Sequence, residues 1–535
     1  MPKFADVGQL IVQNVNAFRK PGVLLVRPGY HIDAGWPVGD PIIIALVSAK
    51  RGDAAAYGLS TQIDGVPVEV REASPLERIK SMRPDTYVTL KERSRTEHHT
   101  PEFPFEQDFA TTSLEAAAAR GPSKRKIDYQ PPGLPLDPIT DTFTIICNAS
   151  PDAGWPTLRD FFSRIDQKLT VGMYDFTSAH VLAALEEALA ERGITHNLSL
   201  VLDHPTRNPT ADQSDEDTEQ DLEGRLRDAL SFAWAPVRSS PEVTEWIFPT
   251  AYHIKVAVRD SKELWLSSGN FNNSNQPEDA PVSEPDPAQA EEVFKKSDRD
   301  WHVVIAHQQL AELFEAFLLN DRSSALQAQG RPMALAELEA FAEQTVELAE
   351  TNPAAVARAP RKFFPSVIVT EQMTVQPLLT PDLAPDGTSG IYAEKMLELI
   401  SNANQSLYIQ LQYIHPSDKA EDAPFATLLN AVADRASAGV DVRIILSQWQ
   451  NTQWMERLQA AGIDTSLVRI QNGVHNKGFV VDHQRVVVSS QNWSGEGVLQ
   501  NRDAALIIDN ASVARYFEEI FLHDWDNLAV GRGGQ

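Results

Sequence analysis

Two copies of one short polar pattern carry the side chains that could do chemistry in this chain. In each copy a histidine is followed by lysine at +2, aspartate at +7, two serines at +14 and +15, and asparagine at +17. The first copy consists of His253, Lys255, Asp260, Ser267, Ser268 and Asn270. The second consists of His475, Lys477, Asp482, Ser489, Ser490 and Asn492. The His-Lys-Asp part alone would arise by chance in roughly a few of every hundred chains this long, so the duplication is what makes the pattern significant.

These residue types suit the transfer of a phosphoryl group. Histidine can act as nucleophile or proton donor near neutral pH, and a lysine two positions along a strand lies on the same face, where it can bind phosphate oxygens. One copy is incomplete, because one imidazole must attack phosphorus while another group protonates the leaving oxygen. Two copies facing one phosphoryl group would stabilise the developing charge without a metal. Zinc is disfavoured, because lysine is a poor ligand and the lone Cys147 provides no Cys/His cluster.

The elements around the two copies also repeat. Downstream, Asp298-Arg299-Asp300 matches Asn501-Arg502-Asp503. Upstream, each copy has a predicted strand, helix and second strand: 169–174, 179–192 and 198–202 in the first, and 407–411, 424–438 and 440–446 in the second. This alternation predicts βα units around a mostly parallel sheet, arranged as two similar α/β lobes.

The paired pattern resembles the signature of the phospholipase D superfamily, HxKxxxxD followed by a small-Ser-x-Asn turn, and two copies resemble its two-lobed members. The resemblance runs from about Ile139 to Asn527. Two departures are visible. Many members have glycine where Ser267 and Ser489 stand, and glutamate where Asp300 and Asp503 stand.

The resemblance implies a two-step mechanism without a cofactor. One histidine attacks to form a phosphohistidine while the other, protonated, expels the alcohol and then activates water or a second alcohol. Asp300 and Asp503 would orient the imidazoles. Family precedent favours His253 as the nucleophile, whereas the residues alone do not distinguish it from His475.

The remaining motif residues have two interpretations each. Asp260 and Asp482 are candidate catalytic residues, but a short acid at a strand–turn boundary also commonly binds backbone amides. The predicted substrate-binding residues are Ser268, Asn270, Ser490 and Asn492, of which the serines could equally be ordinary turn residues.

The predicted architecture is an α/β fold in which two phospholipase D-like lobes, each a β-sheet flanked by helices, pack as a pseudo-dimer within a monomer. The predicted domains are a small α/β accessory domain with linker at 1–135, a first lobe at 136–330, a helical connector at 331–360 and a second lobe at 361–535. An acidic run at 210–223 and an insert at 276–292 interrupt the first lobe. The insert can be interpreted as a lid over the site or as a solvated loop.

Composition limits the partners and the compartment. The sequence has no apolar run of about 18 residues and no basic-then-apolar start, so we expect neither a transmembrane helix nor a secretory signal. A single cysteine fits a cytoplasmic protein. The net charge of −27 opposes nonspecific binding to nucleic acids or anionic membranes.

Three functions are consistent with the sequence. The first is a phosphodiesterase of the phospholipase D type, which hydrolyses a phospholipid or small diester or transfers it to an alcohol. The second is a nuclease, since the segment 173–178 resembles that of nuclease-like members of the superfamily. The third is a non-catalytic phosphate-binding module. The acidity and the insert favour the first.

Overall fold

The computed structural model covers the full chain and describes most of it. The described residues are 3–33, 35–73, 77–78, 81, 125–126, 129, 131–203, 226, 230–237, 245–280, 293–294, 296–328, 362–381 and 390–532. The predicted connector 331–360, the acidic run 210–223 and positions 281–292 of the insert lie outside them.

The chain divides into two compact units. One comprises Met1–Gly121 with Asn451–Thr465, and the other comprises Pro122–Gln450 with Ser466–Gln535. The finer domain boundaries expected from the sequence stay a prediction.

A small four-stranded sheet forms the centre of the first unit and confirms the sheet predicted near the N-terminus. Its strands, in the order β1-β2-β4-β3, are β1 Val23–Asp33, β2 Trp36–Val47, β3 Gln62–Ile63 and β4 Val66–Glu72. The helices of this unit are Phe4–Gln13, Val15–Phe18, the 3₁₀ turn Ala54–Tyr57 and Thr452–Ala460. The last of these is held by the buried carboxylate of Glu456, which accepts hydrogen bonds from Arg27 at 3.0 Å and from the Tyr30 backbone at 3.0 Å.

The second unit contains the remaining strands. They are β5 Arg125–Lys126, β6 Ile139–Ser150, β7 Leu169–Met173, β8 Leu198–Asp203, β9 Phe232–Ala235, β10 Glu245–Trp246, β11 Lys255–Arg259, β12 Glu263–Ser267, β13 Asp300–Ala306, β14 Val367–Thr380, β15 Ser406–Leu411, β16 Ile414–His415, β17 Asp441–Leu446, β18 Val468–Ile470, β19 Lys477–Val481, β20 Arg485–Ser489, β21 Trp493–Ser494, β22 Asp503–Asp509 and β23 Val530–Gly531.

Helices of the second unit lie between these strands. The α-helices are Gly154–Ser163, Ala179–Glu191, Gln308–Ala328, Ile391–Ser401, Ala423–Ser437, Gly495–Leu499 and Ala511–Asn527, and the 3₁₀ turns are Thr195–Asn197, Ala420–Asp422 and Thr465–Leu467, the last of which begins at the final residue of the first unit. No helix in the described part of the chain is long and apolar enough to span a membrane.

One fifteen-stranded mixed sheet joins the two sequence repeats. Its order is β23-β18-β17-β15-β19-β20-β22-β14-β6-β13-β12-β11-β7-β8-β9. On either side of the central pair β14 and β6, the halves repeat one pattern: β22-β20-β19-β15-β17-β18 corresponds to β13-β12-β11-β7-β8-β9. The duplication read from the sequence is therefore also a duplication of strand order.

The expectation of a mostly parallel sheet is wrong. Within this sheet, parallel pairing is confined to β7-β8-β9 and β15-β17-β18. The motif strands enter as hairpins, β11 with β12 and β19 with β20, which impose antiparallel pairing. The βα pattern correctly predicted parallel pairing for the outer strands, but it gave no information about the pairing of the motif hairpins.

The two halves of the sheet pack against each other and share a core. Strand β13 lies against β19, and β11 lies against β22. Val256 and Val480, from the two motif strands, belong to the same buried cluster. The contact is close at Gly478, where a Cβ atom would lie 2.2 Å from the ring of Trp301. Only glycine there allows β13 to bring its first residue, Asp300, beside the second motif.

Candidate active site

The two motif lysines occupy equivalent positions at the start of their strands. Lys255 is the first residue of β11 and pairs with Met173 at the end of β7. Lys477 is the first residue of β19 and pairs with Leu411 at the end of β15. Each histidine precedes its lysine by two residues, in the segment that leads into the strand.

Each histidine is hydrogen-bonded to the acid of the other copy. Nδ1 of His253 lies 2.9 Å from Oδ1 of Asp503, and Nδ1 of His475 lies 3.0 Å from Oδ1 of Asp300. A carboxylate that accepts the Nδ1 proton leaves Nε2 with its lone pair and fixes the ring orientation. Both His–Asp units are therefore assembled from the two copies together.

Serine hydroxyls support the two acids. Ser268 donates to Oδ1 of Asp300 at 2.7 Å, and Ser490 donates to Oδ1 of Asp503 at 2.5 Å. Ser268 and Ser490 are the second serines of the two motif pairs, and in both copies the hydroxyl at this position contacts the acid. Since both carboxylates are completely buried, such hydrogen bonds offset part of the cost of burying a charge.

Backbone hydrogen bonds between the copies stabilise this exchange of acids, in which each histidine is bonded to the aspartate of the other copy. The backbone N–H of Arg299 donates to the carbonyl of Gly473 at 2.7 Å, and His475 donates back to Arg299 at 3.1 Å. In the equivalent place, Arg502 donates to the carbonyl of Ala251 at 2.8 Å. The segment before each acid is thereby bound to the segment before the opposite histidine.

Two buried ion pairs that the sequence did not reveal reinforce the exchange. Nε and Nη2 of Arg299 lie 2.9 and 3.2 Å from the carboxylate of Asp524, and those of Arg502 lie 2.9 and 3.1 Å from Asp321. Both pairs again join one copy to the other. The available signal was that each aspartate stands 22 residues after the arginine of its own copy.

Each buried lysine donates to the backbone carbonyl of its own motif histidine, and the two differ in their other neighbours. Nζ of Lys255 donates to the backbone carbonyl of His253 at 2.5 Å and lies 4.7 Å from the ring centre of Tyr174. Nζ of Lys477 lies 3.1 and 3.0 Å from the two ring nitrogens of His475 and 3.4 Å from the carbonyl oxygen of Ser268. Both ammonium groups are fully buried.

Burial and the lysines keep both imidazoles neutral. Burial, followed by the charge of Lys255, lowers the pKa of His253 to about 3, although Asp503 opposes the shift. Burial and Lys477 likewise lower the pKa of His475 to about 4. Lys477 also contributes to the shift at His253, and Lys255 to that at His475, so the four groups share one electrostatic environment.

The lysines and acids shift in the directions expected for a buried charged cluster. Burial lowers the pKa of Lys477 to about 7 and that of Lys255 well below its ordinary range, although Asp300 and Asp503 oppose both shifts. Burial would raise the pKa of Asp300, but His475 and Lys477 outweigh it and hold that pKa at about 2. Both acids are therefore carboxylates at neutral pH.

The motif asparagines carry unsatisfied buried atoms. Oδ1 of Asn270 and Oδ1 of Asn492 have no hydrogen-bond partner among the described residues, and the same holds for Oδ2 of Asp300 and of Asp503. Buried polar atoms normally find partners, and because all four are acceptors, water or another hydrogen-bond donor would complete their bonding.

The motif aspartates lie away from the histidines. Asp260 follows the last residue of β11, five positions after Lys255, which corresponds to roughly 16 Å of strand. Its carboxylate accepts hydrogen bonds from the backbone of Gln167 at 2.7 Å and Lys168 at 3.0 Å. Asp482 accepts equivalent bonds from Gln405 at 2.7 Å. This geometry favours the backbone-binding role of the two that the sequence allowed.

The arrangement places in one electrostatic environment the residue types that the transfer of a phosphoryl group requires. It has two imidazoles held by carboxylates, two buried lysines and two asparagine amides. Among the described residues, no three His, Cys, Asp or Glu side chains are grouped so as to hold a metal ion.

Comparison with known proteins identifies a family for part of the second half of the chain. Residues 396–525 match the family described as cardiolipin synthase, PLD-like domain. A phospholipase D of Rickettsia conorii is 27% identical over 131 residues, which are 24% of this chain and 59% of that protein. Cardiolipin synthase 2 of Staphylococcus epidermidis is 26% identical over 176 residues, which are 29% of this chain and 34% of that protein.

A solved structure covers more of the chain at lower similarity. The crystal structure of phosphatidylserine synthase from Haemophilus influenzae is 13% identical, covers 73% of this chain and 89% of that one, and has a TM-score of 0.44. The similarity to the two curated relatives is confined to 59% and 34% of their lengths. The matched residues 396–525 contain the second His-Lys motif and are a phospholipase D-like domain, and the first half of the chain repeats that motif.

Proposed function

We propose that this protein is a metal-independent phosphodiesterase that works through a phosphohistidine intermediate. The observation that carries the proposal is the pair of His–Asp units built across the two copies, at 2.9 and 3.0 Å, with a buried lysine beside each histidine. Such a pair can provide a nucleophile and a proton donor to one phosphoryl group.

In the first step His253 is the nucleophile. The Nε2 lone pair of His253 forms a bond to phosphorus as the bond from phosphorus to the leaving alcohol breaks. The positive charge that develops on the ring is stabilised by Asp503, which accepts the Nδ1 proton at 2.9 Å. Nζ of Lys477 lies 3.1 and 3.0 Å from the two ring nitrogens of His475, where its charge opposes the positive ring that an attack by His475 would create, and this supports the assignment.

His475 is the proton donor in that step. Its pKa of about 4 in the free protein reflects burial and the charge of Lys477. An anionic diester offsets the lysine charge and raises this pKa, so substrate binding itself protonates the acid. Neutral after the first step, His475 accepts a proton from water or an alcohol, whose oxygen attacks phosphorus as the phosphorus–nitrogen bond breaks.

A phospholipid or small phosphodiester is the substrate class that we propose. Two relatives are a phospholipase D and a cardiolipin synthase. The net charge of −27 also disfavours a nucleic acid, whose binding depends largely on neutralising many phosphates. Hydrolysis yields a phosphomonoester, and an alcohol in place of water yields a new diester.

The test is a panel assay of the purified full-length protein in excess EDTA. The substrates are phosphatidylcholine and phosphatidylglycerol vesicles, bis(p-nitrophenyl) phosphate, single- and double-stranded DNA, and RNA. We expect cleavage of the phospholipid and the small diester to continue in EDTA, because lysines and amides supply the charge stabilisation. We also expect phosphate on His253 after a rapid quench without acid.

Three outcomes would contradict the proposal. Complete loss of cleavage on chelation, restored by a divalent metal, would refute the metal-independent mechanism. Cleavage of nucleic acids alone would favour a nuclease of the same superfamily. Binding of inorganic phosphate without cleavage of any substrate would favour a phosphate-binding module.

A further inference from the structure

Tyr174 contacts both reactive groups of the first copy. It directly follows the last residue of β7, which pairs with Lys255. Its ring centre lies 4.7 Å from Nζ of Lys255 and 4.6 Å from the ring centre of His253, and the two rings meet edge-on at 62°. All three side chains are buried.

At the equivalent strand position the second copy has glutamine in place of tyrosine. Leu411 ends β15 and pairs with Lys477 as Met173 pairs with Lys255, so Gln412 is the counterpart of Tyr174. There the lysine contacts the imidazole, at 3.1 and 3.0 Å from its nitrogens. The position of each ammonium thus differs according to whether an aromatic face is present beside it.

We infer that Tyr174 is a positioning residue that makes the two histidines inequivalent. Its face contacts the amine of Lys255 and its ring packs against His253, so Tyr174 holds this lysine away from the imidazole. In the second copy Lys477 lies on the imidazole of His475, where its charge opposes the positive ring that an attack by His475 would create. This inference rests on the proposed function.

The aromatic face also favours the charged form of Lys255. A desolvated cation–π contact opposes the loss of the proton that burial promotes. The other charged groups acting on this lysine are Asp503, Lys477, Asp175 and Asp300. If the charged lysine is required to bind the phosphoryl group, activity falls as pH rises through its pKa, and removal of the ring moves that fall to lower pH.

The experiment compares Tyr174→Phe and Tyr174→Leu with the matched control Gln412→Leu. The phenylalanine variant keeps the ring and should retain kcat within about threefold. The leucine variant should lose roughly thirtyfold in kcat, the size of a desolvated cation–π contact of about 2 kcal/mol, with its alkaline limb shifted down by about one pH unit. The control should stay within about twofold, and thermal melting verifies that each variant is folded.

A direct titration of Lys255 tests the inference even if the protein shows no activity. The pKa of Lys255 is measured by NMR with ¹³C-labelled lysine, its signal being assigned with Lys255→Arg, and it should fall in Tyr174→Leu and hold in Tyr174→Phe. An unchanged Lys255 pKa in the leucine variant, or equal losses of activity in both tyrosine variants, would overturn the role of the ring. Wild-type protein that cleaves no diester would instead refute the proposed function while the titration still judges Tyr174.

Discussion

The two copies of the motif carry the same reactive side chains in different surroundings. In the first copy Lys255 lies against Tyr174, and in the second Lys477 lies against His475. The acid-bearing strands differ as well, because Trp301 after Asp300 corresponds to Ala504 after Asp503. The duplicated groups set the chemistry that is available, and we propose that their neighbours determine which copy performs which half of it.

The packing between the halves is complementary in size. Trp301 contacts Gly478, whereas at the equivalent positions the chain has Ala504 and Val256. One pair combines a large side chain, Trp301, with a glycine, whereas the equivalent pair consists of two smaller side chains, Ala504 and Val256. Ala504 and Val256 both lie in the shared buried core, so the repeat has diverged in sequence while both acids stay against the opposite histidines.

The largest effect should come from removing each histidine in turn. His253→Ala removes the nucleophile, so we expect a loss of at least about 10⁴-fold on every diester. His475→Ala removes the leaving-group acid, which is typically worth 10²–10⁴-fold and matters least when the leaving oxygen is a stable anion. Bis(p-nitrophenyl) phosphate should therefore partly rescue His475→Ala alone, as measured by kcat/KM relative to the phospholipid.

The opposite pattern would reverse the roles. Rescue of His253→Ala alone, or phosphate trapped on His475 in the wild type, would make the second copy the nucleophile. If neither variant loses activity, the enzymatic proposal itself fails.

A smaller effect should expose the exchange of acids between copies. Asp503→Asn and Asp300→Asn each weaken the orientation and charge stabilisation of one histidine, and we expect losses of about 10²-fold. Because Asp503 binds His253, Asp503→Asn should resemble His253→Ala and show no rescue by a good leaving group. Asp300→Asn should resemble His475→Ala and be rescued.

The matched control for these acids is Asp509→Asn, at the exposed far end of β22, which should leave activity unchanged. Rescue of Asp503→Asn instead of Asp300→Asn would mean that each acid serves the histidine of its own copy in solution.

The smallest effect on activity should come from the motif aspartates. Asp260→Ala removes an acceptor of several backbone hydrogen bonds and should lower the free energy of unfolding by about 2–3 kcal/mol, and Asp482→Ala by about 1 kcal/mol because Asp482 is more exposed. Activity per folded molecule should stay within about twofold for both, as determined by thermal melting alongside initial rates. A hundredfold loss in a fully folded variant would instead place these carboxylates at the substrate.

The sequence identified the candidate reactive residues but not how they meet. Spacing alone made His253, His475 and their lysines candidates, because reactive residue types at a repeated interval are visible along one chain. It did not reveal that Asp503 serves His253, since an alignment of repeats pairs equivalent positions and carries no information about contacts between copies. Tyr174 was missed for the same reason, because its role depends on a strand that precedes the motif by some 80 residues.

The exchange of acids between the two copies also constrains how the gene can change. Each His–Asp unit has one member from either half, so a substitution that disrupts one repeat disturbs both units. Under the proposed mechanism, neither repeat could lose its reactive residues while the other continued alone. A recombinant protein that joined the first repeat of one relative to the second repeat of another would have two hybrid His–Asp units. Its activity would depend on whether the acid of each parent reaches the histidine of the other.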